Sequence, residues 1–193
     1  MIKAKLGAVQ QRSADTRARI LAAARATFAR EGYERATLRA IAAGAEADPA
    51  LIIRYFGSKE GLFVAAVDFE LRLPDLSKTP SQKLGATLVK HFLARWEGDP
   101  SDRALQILLR TAVTNEGAAE RMRNIFARQL LPAVSQVAAG GEARLRAALI
   151  ATQILGLALC RYVLKLPAVS ALTADEIVAW YGPTVQRYLT GPH

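Results

Sequence analysis

Five helix-punctuating signals fall within the first sixty residues and cut that part of the chain into a run of short helices: Gly32, Thr37, Gly44, the Asp48-Pro49 step and the Gly57-Ser58 step. Asp48 followed by Pro49 is an N-cap and a first-turn proline, and Pro suits that place because it lacks only an amide hydrogen that would stay unpaired. The stretch PALIIRYF that follows therefore reads as a helix. Its apolar run would also suit a buried strand, but a strand seldom opens on Pro or carries a cation such as Arg54 at its centre. The helix is expected to end at Tyr55 or Phe56, ahead of Gly57, and Ser58 caps the next one, where Glu60 complements the positive end of the dipole. Upstream, Ser13 is expected to cap a first helix running through Glu31, with Ile20, Ala24 and Phe28 as its apolar stripe and Gly32 as its stop. Thr37 caps a second helix from Leu38 to Ala43 with Leu38, Ile41 and Ala42 inward, Gly44 stops it, and residues 45–47 form a turn.

Two short helices joined by a tight turn of small residues, behind a longer one, make a helix-turn-helix unit. Ile52 and Phe56 share a face that would pin the third helix to the first, while Pro49, Ala50, Ile53 and Arg54 project from another side. Small residues near the helix start permit close approach to a groove. Arg54 has the fork that pairs with guanine O6 and N7, and Ile53 has the apolar tip that packs on a thymine methyl. Each has a plainer reading as well, core packing for Ile53 and a phosphate contact or a solvated side chain for Arg54. Charge points the same way. The 193-residue chain carries a formal net charge of +9, and its first 59 residues hold eleven Lys and Arg against five Asp and Glu. A basic end of this kind is what a nucleic-acid-binding domain presents, although Arg that merely solvates helix surfaces would give the same count.

The segment from about Thr16 to Phe69 contains ARATFAREGYERATLRAIAAGAEADPALIIRYFGSKEGLF and resembles the DNA-binding domain of the TetR family of bacterial transcriptional repressors. The residues that carry the resemblance are Ile20-Leu21-x-Ala23-Ala24, Phe28 with Gly32-Tyr33, Thr37 at the second helix start, Ile41-Ala42, and Tyr55-Phe56-x-Ser58-Lys59-Glu60-x-Leu62-Phe63. The resemblance implies phosphate contacts at Thr37, Tyr55 and Lys59, and a connecting helix from Ser58 to about Arg72. It also implies binding of a palindromic operator as a homodimer paired through the last two helices, and release by a small-molecule inducer. Two departures, Ile52-Ile53 where relatives often carry Leu-Tyr and Asp48-Pro49 where they often carry Ser or Thr, keep operator preference from being transferred. Family analogy places the inducer among the middle helices, with Arg110, Thr111, Thr114 and Asn115 as candidate contacts and His91, Trp96, Phe126 and Arg161 beside them.

The whole chain is expected to be all-α, with about nine helices. The expected domains are 1–57 as N-terminal arm and helix-turn-helix, 58–80 as connecting helix and linker, and 81–193 as regulatory and dimerisation domain. Further helices are expected at 81–96, 102–115, 117–138 with Pro132 as a kink, 142–166, and 173–189 bent at Gly182-Pro183. The stretch from Ala147 to Cys160, broken by Thr152, Gln153 and Gly156 and flanked by Arg146 and Arg161, reads as a buried helix, too short to span a bilayer. The stretch 145–166, with Ile177, Trp180, Tyr181, Val185 and Tyr188, suits either a dimer bundle or the core of a single chain. The lone Cys160 permits no internal disulfide and the N-terminus lacks the build of a secretory signal, so a cytosolic setting is expected, with no membrane partner. An enzyme is disfavoured. The two histidines, His91 and His193, stand apart from any Cys cluster with metal spacing, and neither a phosphate-cradling Gly loop nor a Gly-x-Ser-x-Gly elbow is present, so no metal or cofactor is expected. The remaining alternative is a nonspecific architectural DNA-binding protein that needs no ligand.

Overall fold

A computed structural model of the chain describes residues 2–98, 104–138 and 140–192, and among them every regular element is helical. The chain divides into two compact units, Met1–Asp68 with Arg103–Ala118, and Phe69–Asp102 with Ala119–His193.

In the first unit, α1 spans Ile2–Arg35 and is kinked at Gly32, whose φ of 78° and ψ of 169° are not helical. The expected cap at Ser13 is therefore corrected, since the helix begins at Ile2. Residues 2–12 are mostly strong helix formers, with Gly7 the weakest position, and Ser13 spends its hydroxyl on the Tyr55 hydroxyl 3.1 Å away. Helix α2 is Leu38–Gly44, capped by Thr37, whose Oγ1 accepts from the Ala40 amide at 3.1 Å. Gly44 is its last helical residue rather than its stop. Glu46 takes the left-handed conformation (φ 49°), the Ala47 amide donates to Ala42 O (3.0 Å) and the Glu46 amide to Ala43 O (3.2 Å), the paired bonds of a Schellman closure. Helix α3 is Pro49–Phe56, with Asp48 Oδ1 accepting from the Ala50 amide at 2.7 Å, and α4 is Lys59–Ala66, with Ser58 Oγ accepting from the Gly61 amide at 3.0 Å. The stripe Ile20, Ala24 and Phe28 is fully buried as expected, together with Ile41, Ile52, Leu62 and Phe63, and the Phe28 and Phe63 rings meet edge to face at 5.2 Å. Helix α6, Ala104–Ala112, packs on α1 in the same unit, and Arg110 Nη1 donates to Ala29 O at 3.2 Å. The expected start of that helix at 102 lies outside the described residues.

The expected run of α4 to Arg72 is also corrected, because the helix ends at Ala66. Local propensity would allow it to continue. Main-chain bonding does not, since side chains of the second unit take the backbone groups of Phe69–Leu71: Gln129 Oε1 accepts from the Leu71 amide (2.6 Å), Gln129 Nε2 donates to Phe69 O (3.2 Å), His91 Nε2 meets Leu71 O (2.7 Å) and Arg95 Nη2 donates to Glu70 O (3.1 Å).

The second unit is built around α5 (Leu84–Glu97) packed along α11 (Ala174–Thr190), with Gly85 and Gly182 at the closest approach. Helix α7 (Glu116–Ile125) leads into a π-helical turn, Phe126–Leu130, and then α8 (Leu131–Ser135). The wide turn answers Pro132, which cannot donate to a carbonyl four residues back, so the register shifts before the proline. Helix α9 (Ala143–Ala158) likewise ends in a π turn, Leu159–Val163, and α10 (Pro167–Ser170) is a short helix that the sequence reading did not expect. Helix α11 starts on a capping box between Thr173 and Glu176 and stays helical through Pro183. Buried Arg146 closes its far end, donating from Nη1 to Tyr188 O (2.8 Å) and from Nη2 to Gly191 O (3.0 Å). The expectation of a short, buried helix over 147–160 is corrected. The run Ala143–Val163 is 21 residues, long and apolar enough to cross a membrane by length and composition, and 28% of an apolar 18-residue window within it is buried within the chain.

Candidate nucleic-acid interface

Helix α3 has two unlike sides because Ile52 and Phe56 are held by the unit's core while their neighbours are not. Ile52 is fully buried, whereas Pro49, Ala50 and Arg54 are exposed and Ile53 keeps 49% of its surface in water. Ile53 stands exposed beside an exposed Arg54 on one short helix and is not part of the core of its own chain. Phe56 is half-buried under the Arg17 guanidinium, 5.4 Å from its ring centre.

The polar groups at the edges of α3 are fixed by neighbouring elements. Thr37, exposed at the start of α2, holds its hydroxyl on the Ala40 amide. Tyr55, half-buried, keeps its hydroxyl against Ser13 Oγ. When Ser13 is the donor in that pair, the phenolic proton is left to point at an incoming acceptor. Lys59 Nζ donates to Glu34 O at 3.0 Å and stands 4.6 Å from the centre of the Tyr33 ring. Burial, followed by Glu60 and then Glu34, pushes the Tyr33 phenol up from its ordinary range, so that ring carries a neutral hydroxyl beneath the ammonium. Two of the ammonium protons remain for an external anion. Thr37, Tyr55 and Lys59 thus place polar groups at the edges of a helix with one exposed side. Sequence reading missed Arg17 and Ser13 as supports of this surface. The i, i+4 spacing of the two on one side of α1 was the available signal.

The eight residues expected to contact an inducer are mostly engaged by their own chain. In the first unit Arg110 holds Ala29 O, Thr111 is buried, Thr114 Oγ1 lies 3.5 Å from Thr111 O, and Asn115 Oδ1 accepts from the Ala118 amide at 2.9 Å. In the second, His91 holds Leu71 O, and buried Trp96 stacks on Tyr162 with ring centres 5.0 Å apart. Arg161 Nε and the Tyr162 hydroxyl both donate to Glu97 Oε1, at 2.9 and 2.8 Å. Burial and then the Glu97 hydrogen bond raise the Tyr162 phenol well above its ordinary range. Phe126 lines an open space, an apolar groove of about 370 Å³ shared with Leu130, Ala147, Ala151 and Leu155 and flanked by Arg123 and Arg144. Among the described residues no group of three or more His, Cys, Asp or Glu could hold a metal.

Residues 20–66 match the family described as "Bacterial regulatory proteins, tetR family", and residues 82–189 match "Tetracyclin repressor-like, C-terminal domain". Among solved structures, the chain is similar to a TetR-family regulator, SCO0857, from Streptomyces coelicolor A3. The two are 32% identical over 91% of this chain and 95% of that one, with a TM-score of 0.68. It shares the fold of Salmonella enterica GusR, at 21% identity over 90% and 95% of the two chains and a TM-score of 0.63. The same fold occurs in AibR, solved in complex with isovaleryl coenzyme A and operator DNA, at 20% identity over 92% and 100% and a TM-score of 0.59. No curated protein matches the chain.

Proposed function

Since the chain belongs to the TetR family of regulators, we propose that it is a transcriptional repressor that binds a palindromic operator as a homodimer in the cytoplasm and is released by a small molecule. The observation that carries this reading is α3, which exposes Pro49, Ala50, Ile53 and Arg54 on one side while Ile52 anchors the other. One helix of eight residues reaches only a few base pairs, so specificity requires two half-sites. In this reading Thr37, Tyr55 and Lys59 contact phosphates. The second unit exposes Trp180 (74%), Leu164 (57%) and Leu145 (51%), apolar surface suited to pairing with a second copy through α9 and α11. The apolar groove at Phe126, with an arginine on either flank, suits an effector with an apolar body and an anionic end. Such a molecule releases DNA only if it favours an arrangement of the dimer that fits the operator poorly.

In vitro selection of random duplexes with the purified protein tests the proposal. The expected product is a palindrome, and recovery of no consensus would instead favour the architectural reading. Two substitutions separate roles within the interface. Lys59→Ala is expected to weaken binding to selected and random duplexes alike and to lower the slope of log K against log salt by about 1, as loss of one phosphate contact requires. The same change loses the Glu34 tie, so thermal melting is measured alongside to separate a folding effect from a contact effect. Arg54→Ala is expected to relax discrimination at one base pair per half-site by about 1 to 3 kcal/mol, read from affinities for singly substituted operators. Equal losses on operator and random duplex would move Arg54 to the phosphate class.

A further inference from the structure

In the second unit the first turns of α9 meet the last turns of α11, where buried Arg146 holds Tyr188 O and Gly191 O. A cavity of about 520 Å³ opens there, lined by Arg146, Leu149, Thr184, Arg187, Tyr188 and Gly191. Its polar groups are partly committed. Both Arg146 Nη atoms donate to main-chain carbonyls, and the Tyr188 hydroxyl accepts from Gln153 Nε2 at 3.3 Å. Arg187 is exposed. Trp180 stands four, seven and eight residues before Thr184, Arg187 and Tyr188, spacings that return to the same side of a helix. Its own indole does not fill the cavity, since Trp180 is 74% exposed and is not among the lining residues. A protruding indole and an open cavity thus share one side of α11, roughly 10 Å apart at 1.5 Å per residue. On α9, Leu145 (51% exposed) lies one turn before Leu149 and extends the apolar surface beside the opening.

We infer that this cavity is the socket for Trp180 of a second copy of the chain, each indole entering the space beside Arg187 of the other copy. The inference rests on the homodimer reading above and adds to it a register and a pair of anchors. A knob and a socket on one surface are self-complementary under a two-fold axis, so each copy supplies both halves of the contact. Charge selects the occupant as well. An exposed guanidinium beside a buried one attracts the negative face of an aromatic ring and repels a second cation. Trp180 is the exposed aromatic on that same side, and in the socket its ring would lie against Arg187 with its body on Leu149. An axis that sets residue 180 of one copy opposite residue 187 of the other passes midway between them, at Pro183 and Thr184, where the two copies of α11 cross in opposite directions.

Acrylamide quenching of tryptophan fluorescence in the full chain, followed from micromolar concentration down through dissociation of the dimer, reads the socket directly. Trp96, the other of the two tryptophans, is buried, so the change reports on Trp180. Trp180 is expected to be shielded in the dimer and to become quenchable on dilution. Sedimentation equilibrium of R187A, W180A and the double variant supplies a second measurement. W180A is expected to weaken the dimer by about a hundredfold or more and R187A by about tenfold, since each contact occurs twice. The double variant should be at most a few-fold weaker than W180A, because Arg187 has already lost its partner. Both substituted side chains are exposed in the single chain, and circular dichroism checks that the protomer stays folded. A dimer in which Trp180 remains fully quenchable, or in which the two losses simply add, would overturn the socket and leave the dimer reading standing. So would an unchanged dimer in R187A together with loss of thermal stabilisation by an aromatic carboxylate such as benzoate, which would make the cavity a small-molecule site. A native chain that is monomeric at micromolar concentration is a different result, removing the dimer reading and the socket with it.

Discussion

Gly85→Ala should lower the folding stability of the second unit by about 2 to 3 kcal/mol, a drop of roughly 4 to 12 °C in melting temperature for a chain of this size. A Cβ at position 85 would lie 2.2 Å from Gly182 O, 2.5 Å from Gln186 N and 2.9 Å from Gln186 Cα. All three are backbone atoms of α11, so no rotamer change relieves the overlap, and one helix must move away from the other. That movement would also break the bond from the Gly85 amide to Gln186 Oε1, at 2.9 Å. The higher helix propensity of Ala, worth about 1 kcal/mol, offsets only part of the loss. Calorimetric melting provides the check, and an unchanged melting temperature would mean that α5 and α11 do not approach this closely.

A larger effect on assembly is expected at Trp180. Its side chain is 74% exposed in the single chain, so Trp180→Glu should leave each protomer folded. In a two-fold symmetric dimer the same residue enters the interface twice, once from each copy. A central aromatic contributes about 2 kcal/mol or more, so the double loss reaches about 4 kcal/mol, close to a thousandfold in the dimer dissociation constant. Sedimentation equilibrium should show a dimer for the native protein and a monomer for the variant at micromolar concentration, with circular dichroism unchanged. A variant that stays dimeric would place the pairing surface elsewhere on the chain.

The first unit was largely legible in sequence because its elements are set by local chemistry. Thr37, Asp48 with Pro49, and Ser58 act within three residues of themselves, and each cap is found where its side chain type and spacing put it. Legibility failed where a distant partner decides. Ser13 looks like a cap until Tyr55, 42 residues away, takes its hydroxyl. Gly44 looks like a stop, but closure falls on Glu46, a residue that tolerates positive φ only because two main-chain bonds hold it there. The end of α4 was hidden for the same reason, since His91, Arg95 and Gln129 bind the following backbone from far along the chain. Candidate effector contacts were the least legible part. A polar residue on an apolar helix gives the same pattern whether it meets a ligand or, like Arg110, Asn115 and Arg161, ties down its own backbone and side chains.

The central claim is that two copies of α3 read two half-sites of one duplex. Isothermal titration of the selected palindrome with the native protein, compared with a duplex in which one half-site is scrambled, addresses it most directly. The account predicts two protomers bound per palindrome and, with one half-site lost, an affinity weaker by at least about a hundredfold, because several contacted base pairs at roughly 1 to 3 kcal/mol each are given up together. One protomer per duplex, or equal affinity for the palindrome and its half-scrambled partner, would contradict it.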